Sequence, residues 1–225
     1  MSLEIKIASQ FQELLSPRSI ESIVSECSQN EVSVGRGGGG FKRVSDQLEV
    51  YSRQSRRGGM FGKVFQRLYF TSSCSFRTHQ ELSILEFLKK KGFPTSNPVA
   101  SYVKRFGCIY TSFLLTEKIK GSNNLLVSIK NKEIDFEQLV NICNIVGEQT
   151  KKLLYLGIVH KDLHLGNILY QGNTVYIIDF DKAHFLSHPS QYHSSKKKLI
   201  ERFGRSCQKH RISRDCFNAF IKGVK

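Results

Sequence analysis

The chain has 225 residues, 40% of them hydrophobic and only 4 proline, which suits one two-lobed unit and excludes a disordered or repetitive chain. A formal net charge of +15 implies an anionic partner, and no apolar run is long enough to cross a bilayer. Six cysteines without a C-x-x-C pair suggest neither a zinc site nor a disulfide frame, and residues 1–30 lack a signal-peptide layout, so a reducing cytoplasm is expected.

In chain order, Glu31-Val32-Ser33-Val34 reads as a strand entering the run from Gly35 to Gly40, with a second strand beyond it. Glycine lets backbone amides approach phosphate oxygens closely, so Gly35, Gly37, Gly38 and Gly39 predict a hairpin over phosphates; a flexible linker is the alternative. Ser45-Asp46-Gln47 reads as a turn and Leu48 to Arg53 as the next strand. From Arg77 to Lys90, Leu82, Leu85 and Leu88 fall at helical spacing, with Ile84 and Phe87 widening the face. Val99 to Val103 and Cys108 to Ile119 read as two further strands, and Phe136 to Leu156 as a long amphipathic helix stopped by Gly157. Ile168 to Tyr170 and Val175 to Ile178 are short strand-like runs joined by the turn pair Gly172-Asn173. The tail carries Leu199, Phe203, Phe217 and Phe220 among its cations, permitting one or two amphipathic helices that either pack on the protein or lie on a membrane.

The chemistry lies between these elements. Asp162 stands two residues after His160, Asn167 five residues further on, and Asp179 at the end of an apolar run. This reproduces an H-R-D-L-x-x-x-N loop with Lys161 in place of Arg, followed by a second metal-binding acid. Phosphoryl transfer from Mg2+-bound ATP needs these groups: Asp162 as general base, Asn167 and Asp179 as magnesium ligands. The expected fold class is α+β, a protein-kinase-like two-lobed fold with a small β-rich N-lobe and a reduced, mostly helical C-lobe. Residues 1–225 are read as a single kinase-like domain: 1–118 an N-lobe with an N-terminal extension, 119–225 a C-lobe with a basic helical tail. Arg53 stands where a kinase has a phosphate-binding lysine, with Glu81 its candidate partner or a solvated helix residue. Backbone groups at Glu117, Lys118 and Ile119 are candidates to bind the adenine. His160 is read as a brace for the loop, while His164 either contacts substrate or lines the cleft.

The acceptor class is bounded next. Only 44 residues follow Asp181 and no A-P-E segment appears, leaving no room for protein-substrate docking helices. A small-molecule or lipid-sugar acceptor fits better. Residues 36–67 hold 8 Lys and Arg against 2 acids, and residues 196–225 hold 10 against 2, which concentrates the basicity in two segments.

Several of these pieces resemble the lipopolysaccharide core kinases, in particular those acting on 3-deoxy-D-manno-octulosonic acid (Kdo). They are Gly35-Arg36-Gly37, Arg53 to Met60, Arg77 to Glu81, Gly92 to Ala100, Asp162 to Leu169 and Ile178 to Asp181. The sequence departs from that family at His164, usually Asn, and at Ser55, commonly aromatic. The resemblance implies phosphorylation of the Kdo 4-hydroxyl of Kdo-lipid A, by a peripheral protein at the cytoplasmic face of a Gram-negative inner membrane. It implies contact with an anionic glycolipid and an anionic membrane surface, and makes Arg56 and Arg57 candidate contacts to phosphate or acceptor carboxylate. No nucleic-acid partner is expected. A heptose or aminoglycoside-type kinase is the alternative within the fold, and a nucleic-acid-binding pseudokinase the alternative outside it.

Overall fold

Antiparallel pairing in the N-terminal half and helix packing in the C-terminal half organise the chain. The computed structural model describes residues 2–29, 32–34, 37–55, 69–70 and 76–225. These form two units, Met1–Gly92 with Ser96–Ile119, and Phe93–Thr95 with Lys120–Lys225. A β-rich first part and a mostly helical second part match the α+β class expected from sequence.

The first unit contains β1 (Ser2–Ile7), α1 (Pro17–Gln29), β2 (Val32–Val34), β3 (Gly37–Arg43), β4 (Glu49–Gln54), β5 (Tyr69–Phe70), α2 (Arg77–Lys90), β6 (Pro98–Phe106) and β7 (Ile109–Glu117). The sheet order is β1-β6-β7-β4-β3-β2, with β5 also on β7. Successive side chains on a strand point to opposite faces, and β6 is buried on both. Ala100 and Tyr102 join Ile20, Ile23, Val24 and Cys27 of α1 in one core. Ser101 and Val103 face the other way, where Ser101 meets His79 of α2 at 2.7 Å and Val103 packs with Phe76 and Tyr110. The same alternation on β4 sends Val50 into the α1 core and Arg53 towards α2.

The hairpin expected at the glycine run is present as β2 on β3, with Gly37 to Gly40 in its second strand rather than ahead of it. Gly37, Gly38 and Gly39 lie inside β3, paired with Val34, Ser33 and Val32. Close packing accounts for two of these glycines. A Cβ on Gly39 would stand 2.4 Å from the Tyr51 hydroxyl, and one on Gly40 would stand 2.7 Å from the Cys27 carbonyl. Gly35 and Glu31 lie outside the described residues. Also unexpected are β1, a sheet edge registered from Ser2 on Arg105 to Ile7 on Ala100, and α1, which covers the sheet.

The second unit contains β8 (Asn123–Asn124), α3 (Leu125–Lys130), α4 (Phe136–Tyr155), β9 (Ile158–Val159), β10 (Ile168–Gln171), β11 (Thr174–Ile177), β12 (His184–Phe185), α5 (Gln191–Lys209) and α6 (Arg214–Val224). Asp135 caps α4 by accepting the Gln138 N–H at 2.7 Å, and Gly157 ends it at φ +75°. The basic tail packs on the protein: Leu199, Phe203, Cys207, Cys216, Phe220 and Val224 are buried, with Phe203 stacked on Phe220 at 4.1 Å. Glycines set how closely α4 and α6 approach. A Cβ on Gly147 would lie 2.2 Å from the Phe220 carbonyl, and one on Gly223 would lie 2.2 Å from that of Asn144. Among the described residues, no helix is long and apolar enough to cross a membrane.

Two predictions concern stability. Gly223→Ala should cost about 3 kcal/mol in denaturant unfolding, because backbone faces backbone there and neither side can yield. Gly107→Ala, at φ +60° but in open space, should cost only about 1 kcal/mol.

His79 gives a pH signature. Burial, with Lys6 adding to it, lowers its pKa to about 4, and Glu4 at 4.0 Å is too far to hydrogen-bond. An unfolded-chain imidazole titrates near about 6.5. As pH falls from there towards about 4, the unfolded chain takes up a proton that the folded chain refuses, so stability is lost across that window; above it the group contributes nothing. His79→Gln should flatten this part of a plot of Tm against pH, and an unchanged slope would assign the acid sensitivity to other groups.

Candidate active site

In the second unit the chain leaves α4 at Gly157, forms β9 and enters the segment from His160 to Asn167. His160 is buried and makes two bonds that fix its tautomer. Its Nε2–H donates to the Ile178 carbonyl at 3.0 Å, and its Nδ1 accepts the Asp162 N–H at 3.3 Å. Burial holds its pKa below the ordinary value, so the ring is neutral, as one donor and one acceptor nitrogen require. Phe180 is buried edge-on against it, with ring centroids 4.7 Å apart.

Asn167 closes the loop from the other side. Its Nδ2 donates to the Asp162 carbonyl at 3.0 Å, and its own carbonyl accepts the Ile178 N–H at 3.0 Å. Asp162, Asn167 and the segment carrying Asp179 are thus laced together through His160 and Ile178. Asp179 follows at φ +65°, and Lys161 on the other segment has φ +51°. Asp tolerates the left-handed region better than most residues, and such strain gathers where a side chain must be aimed. The charges of Asp162 and Asp179 both act on His160 and on His164, which puts the two carboxylates in one neighbourhood. β10 and β11 join the two segments by a hairpin registered from Ile168 on Ile177 to Gln171 on Thr174.

The Asp162 carboxylate is clamped. Lys182 Nζ donates to Oδ2 at 2.7 Å and Arg202 Nη1 donates to Oδ1 at 2.7 Å. Burial alone would push this carboxyl up, but the Lys182 hydrogen bond and charge, with His164 and Arg202, outweigh it and hold its pKa below the ordinary value. Arg202 is on α5, and one helical turn on, the Ser206 hydroxyl accepts the Leu165 N–H at 3.2 Å. The basic tail therefore supplies two contacts to the loop.

His164 turns inward: its Nδ1 accepts the Gly166 N–H at 3.1 Å and caps the single 3-10 turn Leu165–Asn167. Burial lowers its pKa despite the two nearby carboxylates. The donor set fits a hard cation. Fixing the Asn167 amide by its Nδ2 leaves Oδ1 as an oxygen donor on the segment bonded to Ile178, the neighbour of Asp179, and magnesium takes one or two protein oxygens and completes its shell with phosphate and water. Consistent with so sparse a set, no cluster of three His, Cys, Asp or Glu ligands occurs among the described residues.

In the first unit, Arg53 of β4 meets Glu81 of α2, its Nη2 lying 2.8 Å from Oε1 and 2.7 Å from Oε2. Glu81 is buried and Arg53 partly so, which makes this a desolvated pair rather than a solvated helix residue. The segment after β7 departs from expectation. The Glu117 N–H donates to the Asn97 carbonyl at 2.8 Å, the Lys118 N–H to the Glu49 carbonyl at 2.9 Å, and Lys118 Nζ reaches Glu49 at 3.1 Å. Bonds to the chain on either side of β7 use these two amides, so they do not serve as adenine donors. Ile119 directly follows them. Arg56 and Arg57 lie outside the described residues.

Lys182, Arg202 and Ser206 were not read from sequence. Arg202 and Ser206 are four apart and border the apolar positions Leu199, Phe203 and Cys207, a spacing that would have placed them at the packed edge of α5.

A family model for lipopolysaccharide kinases (Kdo/WaaP) matches residues 27–223. The chain belongs to this family. Among its relatives is a 3-deoxy-D-manno-octulosonic acid kinase of Vibrio vulnificus strain YJ016, 31% identical over 208 residues, spanning 88% of this chain and 84% of that protein. A protein of the same name from Vibrio cholerae is 30% identical over 183 residues, covering 80% of this chain and 76% of its own. One from Mannheimia succiniciproducens is 33% identical over 157 residues, covering 66% and 64%. Among solved structures, WaaP in complex with acyl carrier protein superposes with a TM-score of 0.64 at 16% identity, over 98% of this chain and 88% of that one. The fold is thus the protein-kinase-like one, and the chain is a phosphotransferase of lipopolysaccharide core assembly.

The Arg53–Glu81 pair yields a prediction. Glu81→Gln keeps the shape but removes the charge facing a partly buried guanidinium, and should cost about 2 kcal/mol of stability in urea unfolding. Loss of less than about 0.5 kcal/mol would show that solvent already screens the pair.

Proposed function

We propose that this kinase transfers the γ-phosphoryl group of Mg-ATP to the 4-hydroxyl of the Kdo sugar on lipid A or its precursor. The lacing of Asp162, Asn167 and the Asp179 segment around His160 carries the reading. Relatives about 30% identical that bear the name 3-deoxy-D-manno-octulosonic acid kinase support the acceptor.

In this reading Asp162 orients the acceptor hydroxyl and accepts its proton as the oxygen bonds to the γ-phosphorus and the bond to the ADP oxygen breaks. A carboxylate with a lowered pKa suffices, because in a loose transition state the proton leaves late and positioning matters more than basicity. Asn167 and Asp179 hold the magnesium, which when bound neutralises charge on the phosphate oxygens. Arg53, braced by Glu81, is the cation for the nucleotide phosphates, and its guanidinium suits a forked contact. His164 keeps the turn in shape. The two units correspond to the N-lobe and C-lobe of one kinase domain.

The basic segments support an anionic, membrane-held acceptor at the cytoplasmic face of the inner membrane. On α5, Lys197, Lys198, Arg205 and Lys209 are exposed, whereas Leu199, Phe203 and Cys207 are buried. The helix therefore both packs and presents cations to an anionic surface.

Full-length protein with labelled ATP should phosphorylate Kdo-lipid A and leave heptosylated core and aminoglycosides unlabelled; labelling of heptosylated core alone would overturn the acceptor assignment. Asp162→Ala should lower kcat by about 10³-fold while nucleotide affinity stays within a few-fold. Near-normal turnover would remove Asp162 from the role of base.

A further inference from the structure

Both oxygens of the carboxylate proposed as base are occupied by cations, Lys182 on one and Arg202 on the other, each at 2.7 Å. Each carboxylate oxygen keeps a second acceptor site, so an acceptor hydroxyl that bonds to Asp162 does so with a cation at its side. The cations are the movable partners: the side chains of Lys182 and Arg202 are 54% and 41% exposed, against 19% for Asp162. Pairs this exposed cost little to open in water, but leaving both cations without an anion beside a closing site would cost more. An acceptor that brings its own anion suits this arrangement, since the exposed cations can share that anion with Asp162 while the acceptor hydroxyl bonds to the carboxylate.

We propose that Lys182 and Arg202 are specificity-determining residues that recognise a carboxylate on the same sugar ring as the hydroxyl being phosphorylated. The proposal rests on the kinase reading above and deepens it. Geometry sets the reach. Three contacts of about 2.8 Å, hydroxyl to Asp162, Asp162 to cation and cation to anion, together with the widths of the carboxylate and the cation, keep the acceptor anion on the order of 10 Å from the acceptor hydroxyl. The sugar acid's own carboxylate, on the same ring as the hydroxyl, falls well inside that reach and is the nearest anion an acceptor of this kind offers. The planar fork of Arg202 suits a carboxylate's two oxygens, and Lys182 adds a point charge. Neutral hexoses and heptoses would offer the two cations no anion, which turns an ion pair into a preference for the acid sugar.

The test uses the full-length protein with two acceptors, Kdo-lipid A and the same molecule with its sugar carboxyl methyl-esterified, and measures KM for acceptor and ATP separately. Wild type should lose about 10- to 100-fold in kcat/KM on esterification, the range of a charge-assisted contact. Arg202→Gln and Lys182→Gln should show a similar loss, mainly in acceptor KM, on the free acid and almost none on the ester. Arg202→Lys, which keeps charge but not the fork, should recover part of the loss. An ATP KM that stays within about twofold, with an unchanged Tm, excludes a folding defect. Equal losses on acid and ester, or a rise in ATP KM alone, would overturn the proposal and assign the cations to Asp162 or to the nucleotide. A wild-type enzyme that ignores Kdo-lipid A but labels heptosylated core would instead overturn the acceptor reading, a distinct result.

Discussion

A single neutral imidazole holds the catalytic end of this protein together. His160 ties the amide of Asp162 to the carbonyl of Ile178, so the two strand-flanking segments that bear the acidic residues cannot drift apart without breaking a buried bond. It can do so only while uncharged, and its burial against Phe180 enforces that state. Protonation would turn an acceptor nitrogen into a donor facing another donor. The remaining geometry is arranged around this constraint, from the capping of the turn by His164 to the anchoring of Leu165 by Ser206.

How much of this could be read from the sequence depended on whether local spacing encoded it. The Asp162–Asn167–Asp179 spacing is set by one short turn and one two-stranded hairpin, both local, so the residues announced their arrangement. The pairing of Arg53 with Glu81 spans strand and helix, yet strand alternation and helical periodicity each placed one partner. The glycine run was legible in part, because glycine has two uses: the hairpin of β2 and β3 is there, but Gly37 to Gly40 belong to its second strand. Here close packing against Tyr51 and Cys27 places Gly39 and Gly40 in a strand, and tertiary neighbours of that kind leave no mark in the local pattern. The edge strand β1 was hidden for a related reason: six residues with half their surface wet become a strand only because β6 offers a partner about a hundred residues away.

The least legible part was the tail. Its cations had the composition of a solvated or membrane-facing surface, and several are that. Helical geometry nevertheless divides one helix between different tasks. On α5 the apolar positions enter the core, the outward positions remain in water, and the border positions 202 and 206 reach the catalytic loop. Charge counted along the chain cannot separate these roles, because it ignores which way each side chain points. The close approach of α4 and α6 through Gly147 and Gly223 anchors this arrangement.

The clamp from Arg202 joins positions forty residues apart, with bearing on how the enzyme is made. A ribosome must translate most of the message before that guanidinium and the Ser206 hydroxyl exist, and α6, against which the helix packs, is translated later still. Until then the loop has its own lacing through His160 and Asn167 but neither contact from α5. A chain cut short ahead of Ser206 would keep the loop's own hydrogen bonds and lose the contacts that α5 makes to it.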